Sequence, residues 1–438
     1  MQASLRLLTH RKFLPLFVTQ FLGAFNDNLF KTAMILFATY VVFKDPQQES
    51  SFNAVATGLF ILPFFLLSAL SGQLADNMDK SKIIRIVKLA EIFIMMLGGI
   101  GLLLCEQYPL PGVGLMLVAV LAMGVHSTFF GPIKYAILPQ HLEREQVLGG
   151  TGLVEAGTYI AILAGTIVAG WISPAMTAVA ALIVALIGYV AGRMIPPAPR
   201  LGPPVELDYN MLRASWRLIY GTMHIRRLFL AIMSISFFWM IATVLIIIFP
   251  PMVKNDFTAS KEVASLFLAI FSIGVAVGSV AINRLLQGQV SARYAPISVI
   301  TMAAFVWFFQ YVSTGWPQAP NGTLYTVSEF LAQAHSWRVL LALFGIALFG
   351  GMFVVPLYAF MTTTVGKDEA ARTVAANNVV NSGAMVLGAL VILGAMGMGL
   401  SNKHALIVVC VMCFFSAALA LKLQRACEKE TRAVRGRP

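Results

Sequence analysis

The sequence predicts an all-α membrane protein with twelve transmembrane helices in two six-helix bundles, on three observations. Of its 438 residues, 58 % are hydrophobic and only 11 % charged, with a mean hydropathy of +0.81. Soluble globular chains carry roughly 25 % charge and about 45–50 % apolar residues. The apolar residues gather in twelve runs of about 18 or more, long enough to cross a hydrocarbon core of roughly 30 Å as helices. Lys and Arg fall mainly on alternate connections between the runs, as they do in multi-pass chains.

The runs lie near 13–43, 53–76, 82–105, 112–138, 148–171 and 175–195, then near 228–251, 261–286, 295–313, 337–361, 371–398 and 404–424. Arg11 and Lys12 precede the first run as in a signal peptide, but the run is too long and has no small-residue cleavage site, so it reads as an uncleaved helix. The expected organisation is a first bundle over 1–195, a linker over 196–227, a second bundle over 228–424 and a basic tail over 425–438. The linker opens with PPAPRLGPP at 196–204, and Leu207 to Tyr220 reads either as a surface amphipathic helix with Arg213 and Arg217 at headgroups or as a solvated linker.

The net charge of +12 would suggest a nucleic-acid partner in a soluble protein. Sorted by position, 24 of the 31 basic residues fall on one side. By the positive-inside rule that side is the cytoplasm, which holds both termini. Only Lys31 and Lys134 remain inside spans as basic residues. Of the four cysteines, Cys410 and Cys413 form a CxxC in an apolar run without further ligands, which reads as helical packing; no disulfide framework, metal or cofactor is expected.

The two halves carry an internal repeat. At an offset of 226, Thr151-Gly-Leu-Val-Glu-Ala-Gly157 aligns with Asn377-Asn-Val-Val-Asn-Ser-Gly383, which sets Glu155 over Asn381. Parallel repeats of this kind are associated with transporters that bind substrate between their halves.

The connection after the second run reads Gly72-Gln-Leu-Ala-Asp76-Asn-Met-Asp79-Lys80-Ser-Lys82. It resembles the Gly-x-Leu-Ala-Asp-Arg-x-Gly-Arg-Arg loop of the major facilitator superfamily, with Asn77 in place of Arg and Asp79 in place of Gly. The resemblance implies a conformational latch of Gly72, Asp76 and Lys80: Gly72 for close helix approach, Asp76 to cap a helix or meet a cation, and Lys80 at the cytoplasmic edge.

Ionisable groups within spans cost roughly 2.5–3.5 kcal/mol each on insertion scales and by default face a cavity or a partner. The first run holds Asn26, Asp27, Asn28 and Lys31, with Asp27 and Lys31 one helical turn apart and Gly23 on the same face. They read either as a self-neutralising pair or as a cavity-lining site rich in amides. Glu91 follows Lys88 by one turn and reads as a local ion pair near the cytoplasmic end, and His126 as a packing residue. Lys134, after Pro132, reads as a snorkelling lysine or a phosphate ligand. Glu155 and Asn381, equivalent in the repeat, are expected to face the central cavity.

The segments QFLGAFNDN (20–28), FFGPIKYAIL (129–138), GLVEAGTYIAILAG (152–165) and GGMFVVPLYAF (350–360) narrow the resemblance. Together they are similar to the bacterial lysophospholipid transporter family. That resemblance implies alternating-access transport of lysophospholipids, chiefly lysophosphatidylethanolamine, across the bacterial inner membrane for re-acylation. It implies Asp27, Lys134 and Glu155 as the family's helix-1 acid, helix-4 lysine and helix-5 acid. With Asn28, Lys31 and Asn381 they form the expected substrate-binding set. The family's helix-7 arginine has no counterpart in Ile241 to Leu245, and Asn381 replaces a helix-11 acid, which leaves the headgroup and its coordination on the second half open. Expected partners are the lysophospholipid, membrane lipids and a lysophospholipid acyltransferase/acyl-carrier-protein synthetase, with a monomeric transporter.

Two other readings are weaker. A proton-coupled exporter of amphipathic drugs fits the same fold with Asp27 or Glu155 as protonation site, but Leu117 to Phe130 lacks the intramembrane arginine motif of such antiporters. A membrane acyltransferase would ask for a His followed four residues on by Asp, and none of the six His residues has one. No other clustered catalytic set stands in the sequence, so the expected protein is not an enzyme, and without a nucleotide-binding Gly-rich loop it is not expected to be an ATP-driven pump by itself.

Overall fold

A computed structural model describes the chain except residues 1–5, 106, 201–206, 287–290, 365–369 and 436–438, and, within helices, the side chains of some further residues including Asp76 and Glu155. Twelve long helices correspond to the twelve apolar runs. They are α1 (Leu14–Phe37), α2 (Pro46–Asn77), α3 (Lys80–Leu104), α4 (Pro109–Ala136), α5 (Arg144–Trp171), α6 (Pro174–Arg193), α7 (Arg226–Asn255), α8 (Lys261–Leu285), α9 (Ala295–Thr314), α10 (Ser336–Thr363), α11 (Ala370–Gly397) and α12 (Asn402–Arg435). Among the described residues, ten of them are long and apolar enough to cross a membrane. The other two are α1, whose middle carries Asn26, Asp27 and Asn28, and α5, whose apolar part is Gly157–Trp171.

Helix starts follow the local chemistry. The Asp79 carboxylate caps α3 by accepting from the Ser81 and Lys82 amides, and the Ser173 hydroxyl caps α6 by accepting from the Met176 amide. Proline stands in the first turn of α1, α6 and α9, where its missing N–H is not needed.

Side-chain placement is that of a membrane protein. On α3, Ile86, Leu89, Phe93, Met96, Ile100 and Leu103 are exposed at alternating three- and four-residue spacing, while Lys88 and Glu91 are buried on the opposite face. Water would favour the reverse arrangement, whereas hydrocarbon drives ionisable groups inward.

The chain divides into two compact units. The first comprises Met1–Phe43 and Leu59–Ala214, the second Lys44–Gly58 and Ser215–Pro438. Within the first, α1 packs on α5 and α6, and α3 on α4 and α6; within the second, α7 packs on α11 and α12, and α9 on α10 and α12. The same pairing rule thus builds each unit.

Hydropathy does not anticipate that the start of α2 groups with the second unit. Polar contacts hold it there. The buried Glu49 carboxylate accepts from the Lys254 ammonium and from Asn255 Nδ2, Ser50 Oγ donates to Asn402 Oδ1 at 2.8 Å, and Gln47 Nε2 donates to the Met396 carbonyl.

In the linker, Met211–Met223 is helical and leaves Leu212, Trp216 and Tyr220 exposed at four-residue spacing, with Arg213 paired to Asp208 at 2.8 Å.

Candidate functional site

The first unit encloses a polar network on α1, α3 and α4. Its anchor is Lys88, whose ammonium lies 2.5 Å from Glu91 Oε2, both side chains being buried. Small residues make the slot for it. A Cβ at Gly23 of α1 would stand 2.7 Å from Lys88 Nζ, and Cβ atoms at Gly188 and Gly192 of α6 would contact the same side chain. The local ion pair expected from the spacing is present and buried, and the room beside Gly23 is filled by its lysine.

Glu91 has further partners. Asn26 donates Nδ2 to Glu91 Oε1 at 3.0 Å and to the Ala181 carbonyl at 3.1 Å, and His126 Nε2 lies 3.3 Å from Glu91 Oε2. His126 Nδ1 is 3.4 Å from the Ser127 hydroxyl, which donates to Asp27 Oδ2 at 2.6 Å. Hydrogen bonds therefore link His126 through Ser127 to Asp27, while His126 Nε2 stands beside the Lys88–Glu91 pair with no hydrogen-bond partner among the described residues. Asp27 Oδ1 is buried and has no hydrogen-bond partner among the described residues. A buried carboxylate oxygen in that state is a strong acceptor awaiting a donor.

Lys31 does not close on Asp27. Its ammonium sits 4.5 Å from the centroid of the Phe60 ring, a cation–π contact that leaves the acid open. Asn28 donates its amide to the Ala24 carbonyl of its own helix at 2.9 Å. Lys134 is half-buried in the last turn of α4. The side chains of Glu155 and Asp76 lie outside the described residues.

Asn381 belongs to the second unit and has its own network. It accepts from Ser236 Oγ at 2.7 Å and donates to the Tyr358 hydroxyl at 3.2 Å, which also accepts from Trp239 Nε1 at 2.7 Å. Asn377, one turn earlier, is fully buried with neither side-chain atom partnered among the described residues.

At the α2–α3 connection, a Cβ at Gly72 would meet nothing within 4 Å among the described residues. The working acid is Asp79, which also accepts from the Ala198 amide at 3.2 Å, while Ser81 Oγ donates to the Pro196 carbonyl and Arg85 to the Ile195 carbonyl at 3.2 Å. The buried Lys80 donates its backbone N–H to the Ala198 carbonyl at 3.0 Å. This connection fastens the start of the linker. Beside it His141 Nε2 lies 3.4 Å from the Pro197 carbonyl, and burial holds that imidazole's pKa below its ordinary value.

Sequence reasoning missed Ser127 as a site residue and read His126 as packing, whereas Asn26 stood in the amide-rich stretch it singled out. Ser127 left no signal beyond its position within the FGPIKY-containing helix, and His126 is the only imidazole of α4.

Long lipid-facing helices around buried ionisable networks define a multi-pass membrane transporter. The chain belongs to the Major Facilitator Superfamily, whose family model matches residues 16–389. It is 25 % identical over 393 residues to the lysophospholipid transporter LplT of Serratia proteamaculans (strain 568), covering 87 % of each chain. To LplT of Klebsiella pneumoniae (strain 342) it is 26 % identical over 391 residues, covering 85 % of this chain and 86 % of the relative. Among solved structures, a D-xylose-proton symporter aligns with a TM-score of 0.67 at 12 % identity, covering 94 % of this chain and 98 % of that one. A POT family transporter in complex with 5-aminolevulinic acid aligns with a TM-score of 0.70 at 11 % identity, covering 95 % and 96 %. These structural likenesses show the fold.

Proposed function

We propose that this chain moves lysophospholipids, with lysophosphatidylethanolamine as the first candidate, across the bacterial inner membrane by alternating access, with both termini in the cytoplasm. The observation that carries the reading is the open Oδ1 of Asp27, a buried carboxylate oxygen without a donor in a chain similar to LplT over most of its length. A primary ammonium supplies the missing donor and charge in one group. The phosphate beside that ammonium calls for a cation, and Lys31 lies one turn further along α1 with its ammonium over the Phe60 ring. Glu155 and Lys134 join this set by the family resemblance.

The acyl chain needs an apolar, lipid-accessible surface, and the 31 Phe and 21 Met residues provide adaptable packing for it. The partner expected by this reading is an acyltransferase that consumes the delivered lysolipid. The test is uptake into vesicles reconstituted with the full chain, comparing lysophosphatidylethanolamine, lysophosphatidylglycerol and a cationic amphipathic drug. Protein-dependent movement of the lysolipids supports the reading. Movement of the drug alone overturns it in favour of an exporter.

A further inference from the structure

The linker helix Met211–Met223 is built inside out for water. Asn210 caps it by accepting from the Arg213 amide at 3.0 Å, and Asp208 braces that cap by accepting from the Asn210 amide at 3.1 Å. The Arg213 guanidinium closes on the same carboxylate, through Nε at 3.1 Å and Nη2 at 2.8 Å. Arg213, expected at headgroups, is therefore occupied with the first turn of its own helix.

Beyond the cap, the side chains sort by size against the usual sense. The face turned to the protein buries Ala214, Ser215 and Thr222, none larger than a threonine. Leu212, Trp216 and Tyr220 stand away from it in one row, four residues apart, with Trp216 68 % and Tyr220 75 % exposed. Arg213 and Arg217 form the adjoining row. An aromatic side chain buries about 150–250 Å² when it packs, so a helix facing water would gain by turning round. A helix whose outer face meets a bilayer gains by staying as it is, because Trp and Tyr settle at the level of the headgroups.

Both ends of the helix are held at that level. Before it, the Asp208 amide donates to Gln73 Oε1 near the end of α2 at 2.9 Å. After it, only His224 and Ile225 precede α7, which begins at Arg226 and is long and apolar enough to cross a membrane. The segment 208–227 carries four arginines and one acid, a net charge of +3, and the acid is the one paired with Arg213. We infer that the linker helix is a binding element for acidic phospholipid. Leu212, Trp216 and Tyr220 enter the boundary between headgroups and acyl chains, and Arg217 and the exposed Arg226 meet the phosphates. Acidic lipid is the occupant because positive charge and aromatic side chains coincide where the chain enters the bilayer, and basic residues beside a span are drawn to a negative membrane surface. This lipid contact does not depend on which molecule the protein carries.

The test uses the full chain in nanodiscs of phosphatidylcholine, with or without about 40 % phosphatidylglycerol, and with lipid brominated near the top of its acyl chains as a contact quencher of tryptophan. Subtracting the emission of Trp216→Phe isolates Trp216, and Tyr220→Trp in that background is a second reporter in the same row. With phosphatidylglycerol present, brominated lipid is expected to remove at least about half of the Trp216 emission, and acrylamide to quench it at least about threefold less than free indole. Without the acidic lipid, and equally in the Arg217→Gln, Arg226→Gln double variant, bromine quenching falls by about twofold or more. Reporters open to acrylamide and untouched by bromine overturn the inference in favour of a solvated linker. Shielding from both quenchers overturns it in favour of a protein partner or a second copy. Equal bromine quenching with and without phosphatidylglycerol overturns the assignment to acidic lipid.

Discussion

Ser127 of α4 and Asp27 of α1 are joined by a 2.6 Å hydrogen bond that orients the acid while leaving its other oxygen open. A buried hydrogen bond to a charged group contributes about 1.5–3 kcal/mol. Ser127→Ala therefore raises the half-saturating concentration of lysophosphatidylethanolamine by roughly tenfold, since about 1.4 kcal/mol corresponds to one decade. Uptake kinetics in reconstituted vesicles measure it, and an unchanged value would show that Asp27 does not need this donor.

The Lys88–Glu91 pair makes a separate prediction about stability. Breaking a buried pair from one side leaves a bare charge and costs about 3–5 kcal/mol, whereas replacing both partners by apolar groups is often close to neutral. Lys88→Met is expected to lower the detergent melting temperature sharply, and the Lys88→Met, Glu91→Leu double variant to recover most of it. The recovery is incomplete because Asn26 also loses an acceptor.

At Gly124 the constraint is steric. A Cβ there would run into the Phe60 carbonyl, which belongs to the α2 backbone and cannot rotate away. Gly124→Ala is expected to destabilise the first unit by about 1–3 kcal/mol, the range for overpacking. Gly72→Ala, which meets open space, serves as the control in the same melting experiment and is expected to leave the melt unchanged.

Acidity acts at His141, where burial lowers the imidazole pKa below 6.5. Its folded value lies below the unfolded one, so the stability that neutral His141 contributes is full above about pH 6.5 and declines as pH falls, because the unfolded chain takes up the proton first. Melting temperatures between about pH 5 and about pH 8 should show this slope, and His141→Gln should reduce it. An equal slope in the variant would place the titration elsewhere.

Much of this was legible in the sequence because hydrocarbon penalises charge. Asp27 and Lys31 stood out within an apolar run, and Lys88 and Glu91 were read as partners from their three-residue spacing. What spacing did not reveal was how completely the pair is buried. The Lys88–Glu91 pair lies in the interior because Gly23, Gly188 and Gly192, far apart in sequence, leave a slot for the lysine. His126 read as packing because a lone imidazole carries no pattern, and Ser127 was invisible because a hydroxyl barely alters hydropathy. Likewise Glu49 gave no periodic signal, since its partners Lys254 and Asn255 lie about two hundred residues away. The superfamily motif drew attention to Asp76, whereas Asp79, the departure from that motif, caps α3 and holds Ala198.

The central claim is that the open carboxylate of Asp27 receives the headgroup ammonium. The most direct measurement is uptake of lysophosphatidylethanolamine into vesicles carrying equal amounts of folded native chain or Asp27→Asn, a substitution that keeps the shape and the Ser127 contact and removes the charge. The account predicts that Asp27→Asn loses at least about 90 % of the protein-dependent uptake, equivalent to about 1.4 kcal/mol or more. Uptake equal to that of the native chain would contradict it.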